Sequence, residues 1–388
     1  VLNSNLKRIS GLRQGCRLNA VRGMLLMLFL ALLSLNAQAR TVTDIDGNQV
    51  DIPDNPQRIV LGESRMLYTL AMLEPGDPVR RIVGWPLDLK KYDSQIWQIF
   101  AQKFPDMLAI PSLGLGGTND MNPEKVLALK PDLVILPSLA RYDDADLRLK
   151  AMLDAAHIPV VKIDLRVHLL KNTTRSVAIL GEVLNQTARA QAFNQFYDTH
   201  MQVIHDRLAA YRGPKPTVLL QLHLGRRNEC CVTAVKGSLG ELLSFAGGDN
   251  IASKTVQGVF GRLNEEMVIM AQPDVYIATG AGAAEDQNDL KLGPAITPDM
   301  ALQSLRELTA RQNGLRELKA LHNGRTGILW QNFYLSPWHV AATEFMAKTL
   351  YPDLFADIEP EDTLKQIFHD YLPIPYSGTF MATGGSTP

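Results

Sequence analysis

The side chains best equipped for chemistry in this chain are guanidinium groups and aromatic rings placed just after apolar runs. Arg65 follows Arg58–Leu61, Trp85 follows Arg80–Gly84, and Arg141 and Tyr142 follow Leu133–Leu136. Glu63 precedes Arg65, and Arg166 follows Val160–Ile163. Further on, His223, Arg226 and Arg227 follow Thr217–Leu222, Arg262 ends Val259–Arg262, and Tyr334 and Trp338 follow Thr326–Trp330. Guanidinium forks grip paired oxygens, and ring faces cover flat apolar surfaces. The set suits holding an anionic, partly apolar guest. It does not suit catalysis: there is no Gly-x-Ser-x-Gly elbow, no His-Glu-x-x-His pair and no phosphate loop, and no catalytic residue is assigned. The eight histidines are scattered, and His200 and His205 stand five apart, off-face for a shared metal. No metal ligand set and no cofactor is assigned.

The elements that must position these residues are written twice. Asn122-Pro123-Glu124 opens one segment that runs through Val126 and Pro131-Asp132 into Leu133–Leu136. Asn264-Glu265-Glu266 opens another that runs through Val268 and Pro273-Asp274 into Val275–Ala278, 142 positions later. In each, Asn caps a short helix, Pro breaks it seven residues after the Glu, and a buried strand follows. Around both copies strands alternate with helices at intervals of 20–30 residues, which predicts mostly parallel sheets. The fold class expected is α/β, with two similar lobes, each a central sheet flanked by helices. Between the lobes, Asn172–Tyr211 reads as a long, rigid helical connection, interrupted near Asn185-Gln186-Thr187 with Thr187 as a cap. Two lobes make a cleft, and loops after parallel strands line it.

The chain has 388 residues, enough for two cores. Its start reads as an address: Lys7, Arg8, Arg13, Arg17 and Arg22 precede the apolar run Met24–Leu35, and Asn36-Ala37-Gln38-Ala39 follows. This predicts a secretory signal cleaved after Ala39, too short to span a bilayer comfortably. Residues 1–39 hold five of the 39 basic residues and no acidic one, leaving 34 basic against 40 acidic. A net negative surface excludes nucleic acid as the partner. Cys230 and Cys231 are adjacent and admit two readings: strand neighbours facing opposite ways, or a vicinal disulfide in an oxidising compartment. The divisions expected are a signal peptide at 1–39, a first lobe at 40–171, a connecting helix at 172–212, a second lobe at 213–350, and a C-terminal helix and arm at 351–388, loose from about Ser377.

Taken together, these features resemble the helical-backbone periplasmic binding proteins of ABC importers for ferric siderophores, haem, cobalamin and related chelates. The likeness is carried by Asn122–Leu136, by Gly237-Ser238-Leu239 through Gly248-Asp249-Asn250, and by Ser336-Pro337-Trp338 through Phe355. The resemblance implies a monomeric receptor in the periplasm, a metal chelate as ligand and an inner-membrane permease as partner. It further implies that Glu124 and Glu266, one per lobe, pair with permease arginines. Elementary electrostatics offers both glutamates a plainer role, since an acid in the first turn complements a helix dipole.

Overall fold

Repeated chemistry builds the two halves of the fold. In the first copy Asn122 accepts from the Lys125 N–H at 2.8 Å and caps the helix Pro123–Ala128. Asp132 then accepts from the N–H groups of Gln57 and Arg58 at 2.7 and 2.9 Å, so the residue after the helix-breaking proline also fixes the entry to the next strand over. In the second copy Asn264 accepts from Met267 N–H at 2.8 Å, and Asp274 accepts from Thr217 N–H at 2.9 Å.

The computed structural model describes residues 39–139, 141–226 and 230–384, and from Thr41 onward they pack as one compact unit. The expected signal lies almost wholly outside the described residues. A hairpin comes first, β1 (Ala39–Thr43) with β2 (Gln49–Pro53), its turn at Asp46-Gly47 held by the Asp44 carboxylate. The first sheet has β3 (Ile59–Leu61), β4 (Ile82–Gly84), β5 (Leu133–Pro137) and β6 (Val160–Ile163) in the order β4-β3-β5-β6, all parallel. The second region has β7 (Thr217–Gln221), β8 (Val232–Ala234), β9 (Asp249–Asn250), β10 (Phe260–Arg262), β11 (Val275–Gly280), β12 (Thr326–Trp330) and β13 (Met381–Gly384). Its sheet runs β13-β12-β11-β7-β9, parallel except at β13, while β8 and β10 form a separate antiparallel pair. The α/β class with two parallel-sheet cores flanked by helices is as expected. Among the described residues no helix is long and apolar enough to cross a membrane.

The helical connection differs from expectation. It is two helices, Leu169–Val183 and Thr187–Ala210. Asn185 takes a left-handed φ of 60°, and Gln186 N–H returns to Gly181 O at 2.7 Å, a turn that reverses the chain. The helices lie antiparallel against each other, with Asn194 Nδ2 donating to Thr174 O at 2.7 Å. A Cβ on Gly181 would come within 2.4 Å of Ala190 Cβ, so only glycine permits this approach. Gln186, not Thr187, holds the cap position, and its side chain makes no capping bond.

The C-terminal arm is also unlike its expectation. After the helix Pro360–Asp370 the chain inserts Tyr376 and Phe380 beside Phe368, then runs as the edge strand β13. Phe380 meets Trp330 edge to face at 5.3 Å, and Trp330 N–H donates to Phe380 O at 2.7 Å. Arm and sheet share one aromatic core. Phe380→Ala should therefore cost about 3–5 kcal/mol, the range for deleting a buried large aromatic. A shift in urea-unfolding free energy below about 1 kcal/mol would show that the arm is dispensable.

Candidate functional site

Three cations of the site, Arg65, Arg166 and Arg226, are each set by a carboxylate. After β3, Ser64 N–H and Oγ both donate to Asp88 Oδ1 at 2.7 Å, and Arg65 Nε meets Asp88 Oδ2 at 2.8 Å. The same guanidinium donates from Nη1 to the Tyr334 hydroxyl at 3.2 Å, joining the first lobe to the turn after β12. After β6, Asp164 accepts from the N–H groups of Arg166, Val167 and His168 at 2.8–3.0 Å. That turn places Arg166 against Glu63, with its guanidinium 5.5 Å over the Tyr334 ring. After β7, His223 has a left-handed φ of 55°, its N–H donates to Thr279 Oγ1 at 3.1 Å, and its carbonyl accepts from Arg226 N–H at 3.2 Å. Arg226 in turn pairs with Asp289.

These loops enclose a cleft of about 650 Å³. Of the residues expected there, Arg65, Arg141, His223, Arg226 and Tyr334 line it. Arg141 is exposed and has no ion-pair partner among the described residues. Four others lie elsewhere. Trp85 is fully buried against Trp97, ring centroids 6.0 Å apart, because the strand it follows ends inside the first core. Trp338 is fully buried too; its ring stacks on Trp330 at 5.8 Å and its Nε1 donates to Met72 Sδ at 3.3 Å. Tyr142 sits under Lys162 Nζ at 4.7 Å, outside the cleft lining. Arg262 is exposed on β10, away from that lining. Arg227 lies outside the described residues.

The cleft also holds residues that sequence reasoning passed over: Tyr92, Asp143, Asp146 and Asn332. Tyr92 comes from the end of the helix Asp88–Tyr92, one element beyond the loop that spacing singled out. The Asp143-x-x-Asp146 spacing is a legible capping box, and both partners of that box are formed. Asn332 follows Gln331, which the short turn Gln331–Leu335 carries beside Tyr334.

Burial and charge pull against each other here. Burial works to raise the Tyr334 phenol, but Arg65 and Arg166 outweigh it and the net shift is downward. Burial works to lower the Arg65 guanidinium, yet Tyr334, Glu63 and Asp88 raise it well above its ordinary value. Behind the cleft, burial pushes the Asp93 carboxyl up to about 7, against the Tyr68 hydroxyl that donates to it at 2.6 Å. Among the described residues no cluster of three His, Cys, Asp or Glu is arranged to hold a metal ion. Cys230 and Cys231 form a disulfide between neighbours, and Cys231 pairs backbone to backbone with Leu263 at 2.9 and 3.1 Å.

Comparison with known proteins agrees with this architecture. A family model described as periplasmic binding protein matches residues 81–325. The molybdate-binding protein MolA of Haemophilus influenzae is 23% identical over 386 residues, covering 92% of this chain and 97% of that one. The solved structure of the TroA-like periplasmic binding protein FepB from Veillonella parvula superposes with a TM-score of 0.81 at 28% identity, covering 89% of this chain and 99% of that one. A periplasmic haem-binding protein from Pseudomonas aeruginosa superposes with a TM-score of 0.56 at 18% identity, covering 86% and 99%.

The raised Asp93 carboxyl has a signed consequence. A carboxyl raised on folding holds its proton more tightly in the folded chain, so its contribution to stability is greatest below about pH 4 and falls as pH climbs through about 7. Asp93→Asn should match the wild type near pH 4, gain on it as pH rises from there to about 7, and be the more stable protein at pH 8. Urea midpoints of the two proteins across that range test it; a difference that stays constant with pH removes the argument.

Proposed function

The chain belongs to the periplasmic binding protein family, and on that footing we propose that it is the receptor of an ABC importer that captures an anionic metal chelate, such as a ferric siderophore, between its lobes. The observation that carries the ligand class is the convergence of Arg65, Arg141, Arg166 and Arg226 with Tyr334 on one cleft of about 650 Å³. That volume lies within the range of small-molecule sites, typically about 300–1,000 Å³. Catecholate or carboxylate oxygens of a chelate meet guanidinium N–H groups, and ligand rings meet the faces of Tyr92 and Tyr334. The members of this family bind for transport, so the arginines are assigned recognition and no catalysis.

A metal oxyanion is the second reading, favoured by the near full-length similarity to a molybdate-binding protein. Against it stands size, since a tetraoxoanion fills a small part of this cleft. Haem is a third guest of the same scaffold in the P. aeruginosa protein. Glu124 and Glu266 are exposed, occupy matching places in the two repeats, and are assigned to pair with basic residues of the permease.

Titration calorimetry against a ferric catecholate, a ferric hydroxamate, haemin and sodium molybdate decides among these guests. A ferric chelate should bind tightest; molybdate binding tighter than every chelate gives the second reading the field. Arg141→Ala should weaken the preferred chelate by about tenfold or more, the worth of one charge-assisted hydrogen bond. Its melting temperature should not change, because no ion pair among the described residues is broken. Reversing charge with Glu124→Lys and Glu266→Lys together should abolish uptake through the permease while the calorimetric affinity stays as it was. An equal fall in affinity would place the two glutamates in ligand binding instead.

A further inference from the structure

The two copies of the helix-to-strand unit share a scaffold but not a surface. In the second copy the helix Glu265–Ala271 buries Val268 and leaves Glu266, Met267, Ile269 and Met270 on the opposite, outward arc. Met270 is 84% exposed, Met267 38% and Ile269 37%. In the first copy the matching arc carries Glu124, Lys125, Leu127 and Ala128, of which Lys125 and Ala128 are exposed and Leu127 half-buried. Glu266 is thus ringed by large apolar side chains, where Glu124 has a charge and a methyl group beside it. The other large apolar residues exposed among the described residues, Leu108, Leu115, Leu147, Leu170, Tyr211 and Phe260, stand singly along the chain. Single ones are ordinary; three around one carboxylate mark a contact surface.

The ground beside each glutamate differs too. Next to Glu124 lies an open hollow of about 400 Å³, walled by residues 119–123, Ala145, Arg148 and Met152. Asn119 lines both this hollow and the ligand cleft, so the two adjoin. In the second lobe the short helix Asn313–Arg316 closes on the repeat helix, and a Cβ on Gly314 would stand 3.0 Å from Glu265 Cβ. One lobe offers a recess and the other a ridge.

Building on the docking role assigned above to Glu124 and Glu266, we propose that the docking face is asymmetric. The permease meets the second lobe with an apolar recess that takes Met267 and Met270 around the Glu266 ion pair, and meets the first lobe with a side chain that enters the hollow beside Glu124. The occupant is the permease and not a second copy of this chain, for two reasons. The patch is continuous with the docking carboxylate, and three side chains fall far short of the roughly 800 Å² per partner that a stable dimer buries. Methionine suits such a contact, because its flexible thioether fits irregular apolar surface. Ridge and hollow together fix which way round the receptor sits, whereas two matched charges alone allow a half-turn.

Binding of the receptor to its permease reconstituted in nanodiscs tests this at about 0.1 M and about 1 M salt, between which the screening length falls from about 10 to about 3 Å. Met267→Ser with Met270→Ser should weaken binding by about tenfold or more at both salts, as the loss of two buried apolar side chains predicts. Ala145→Phe, which fills the hollow, should weaken it at both salts as well. Glu124→Gln with Glu266→Gln should weaken it at the lower salt and lose that deficit at the higher. Melting temperatures should match the wild type, since every changed residue is exposed or half-buried. If the serine pair or Ala145→Phe binds like the wild type while the glutamine pair is weakened at low salt, the asymmetric face is wrong and the docking role survives. If the glutamine pair binds like the wild type at low salt, the docking role falls and this inference with it. A wild type that is dimeric by light scattering, and monomeric once the serine pair is introduced, gives the patch to a second copy and overturns the proposal.

Discussion

A guanidinium can be held below a protein surface only with a carboxylate against it, because its desolvation is otherwise too costly. The cleft is organised by that constraint. Asp88 holds the Arg65 guanidinium with Oδ2 and the N–H and hydroxyl of Ser64 with Oδ1. Ser64 Oγ in turn accepts from Leu89 N–H at 2.9 Å, so the turn after β3 and the start of the next helix are locked together. Glu63 holds Arg166, and Asp289 holds Arg226. Each pair uses some N–H groups of its fork and leaves others for a guest. These three cations are therefore ordered without a ligand, and binding is spared the entropy of ordering them.

What keeps the two walls at a working distance is a ring cluster, not a hinge. Tyr68 of the first lobe lies 5.6 Å from Trp330 and 5.2 Å from Trp338, and Met72 takes the Trp338 N–H. His339 sits deep in the same region, its Nε2 2.9 Å from the Tyr197 hydroxyl, and burial lowers it to about 3, so it stays neutral. The arm adds Phe368 and Phe380 from the other side and reaches back to the first lobe, where Lys103 donates to Pro373 O, and to the connecting helix, where Arg189 donates to Tyr371 O. Opening the lobes widely would expose these rings to water and break edge-to-face contacts that each add to simple area burial.

The sequence disclosed the parts of this arrangement that have a period or a punctuation mark. Strands β3 to β6 and β7, β11 and β12 were legible as apolar runs, and Asn122 and Asn264 as caps. Arg65, Arg141, His223, Arg226 and Tyr334 were found because residues after parallel strands gather at one end of a sheet. The failures share a cause. Trp85 and Trp338 also follow strands, but nothing local says whether a ring after a strand turns toward solvent or back into a core of other rings. Tyr92 was missed because a helix, not a strand, delivers it. The fold-back at Asn185 shows in the sequence only as an interruption, since periodicity on either side of a break is blind to direction. The expectation of a loose arm from about Ser377 fails because Met381–Gly384 pairs as an edge strand with a single neighbour, the place where a short, irregular sequence can still pair.

The repeat separates what the fold needs from what it does not. Asn122 and Asn264 cap, Val126 and Val268 are the buried residues of their helices, and Asp132 and Asp274 tie down neighbouring strands. Each of these pairs recurs because the same helix-to-strand unit cannot be built without it. Glu124 and Glu266 recur with them, yet both are exposed and neither has a hydrogen-bond or ion-pair partner among the described residues. A favourable helix dipole would be served by any acid in the first turn, and in the second copy Glu265 already supplies one, opposite Pro123 in the first. The fold thus gives no reason for the repeated glutamate to stand at this place in both lobes. The permease docking proposed for this pair would supply one, since a partner that reads both lobes at once needs a charge at matching places on each.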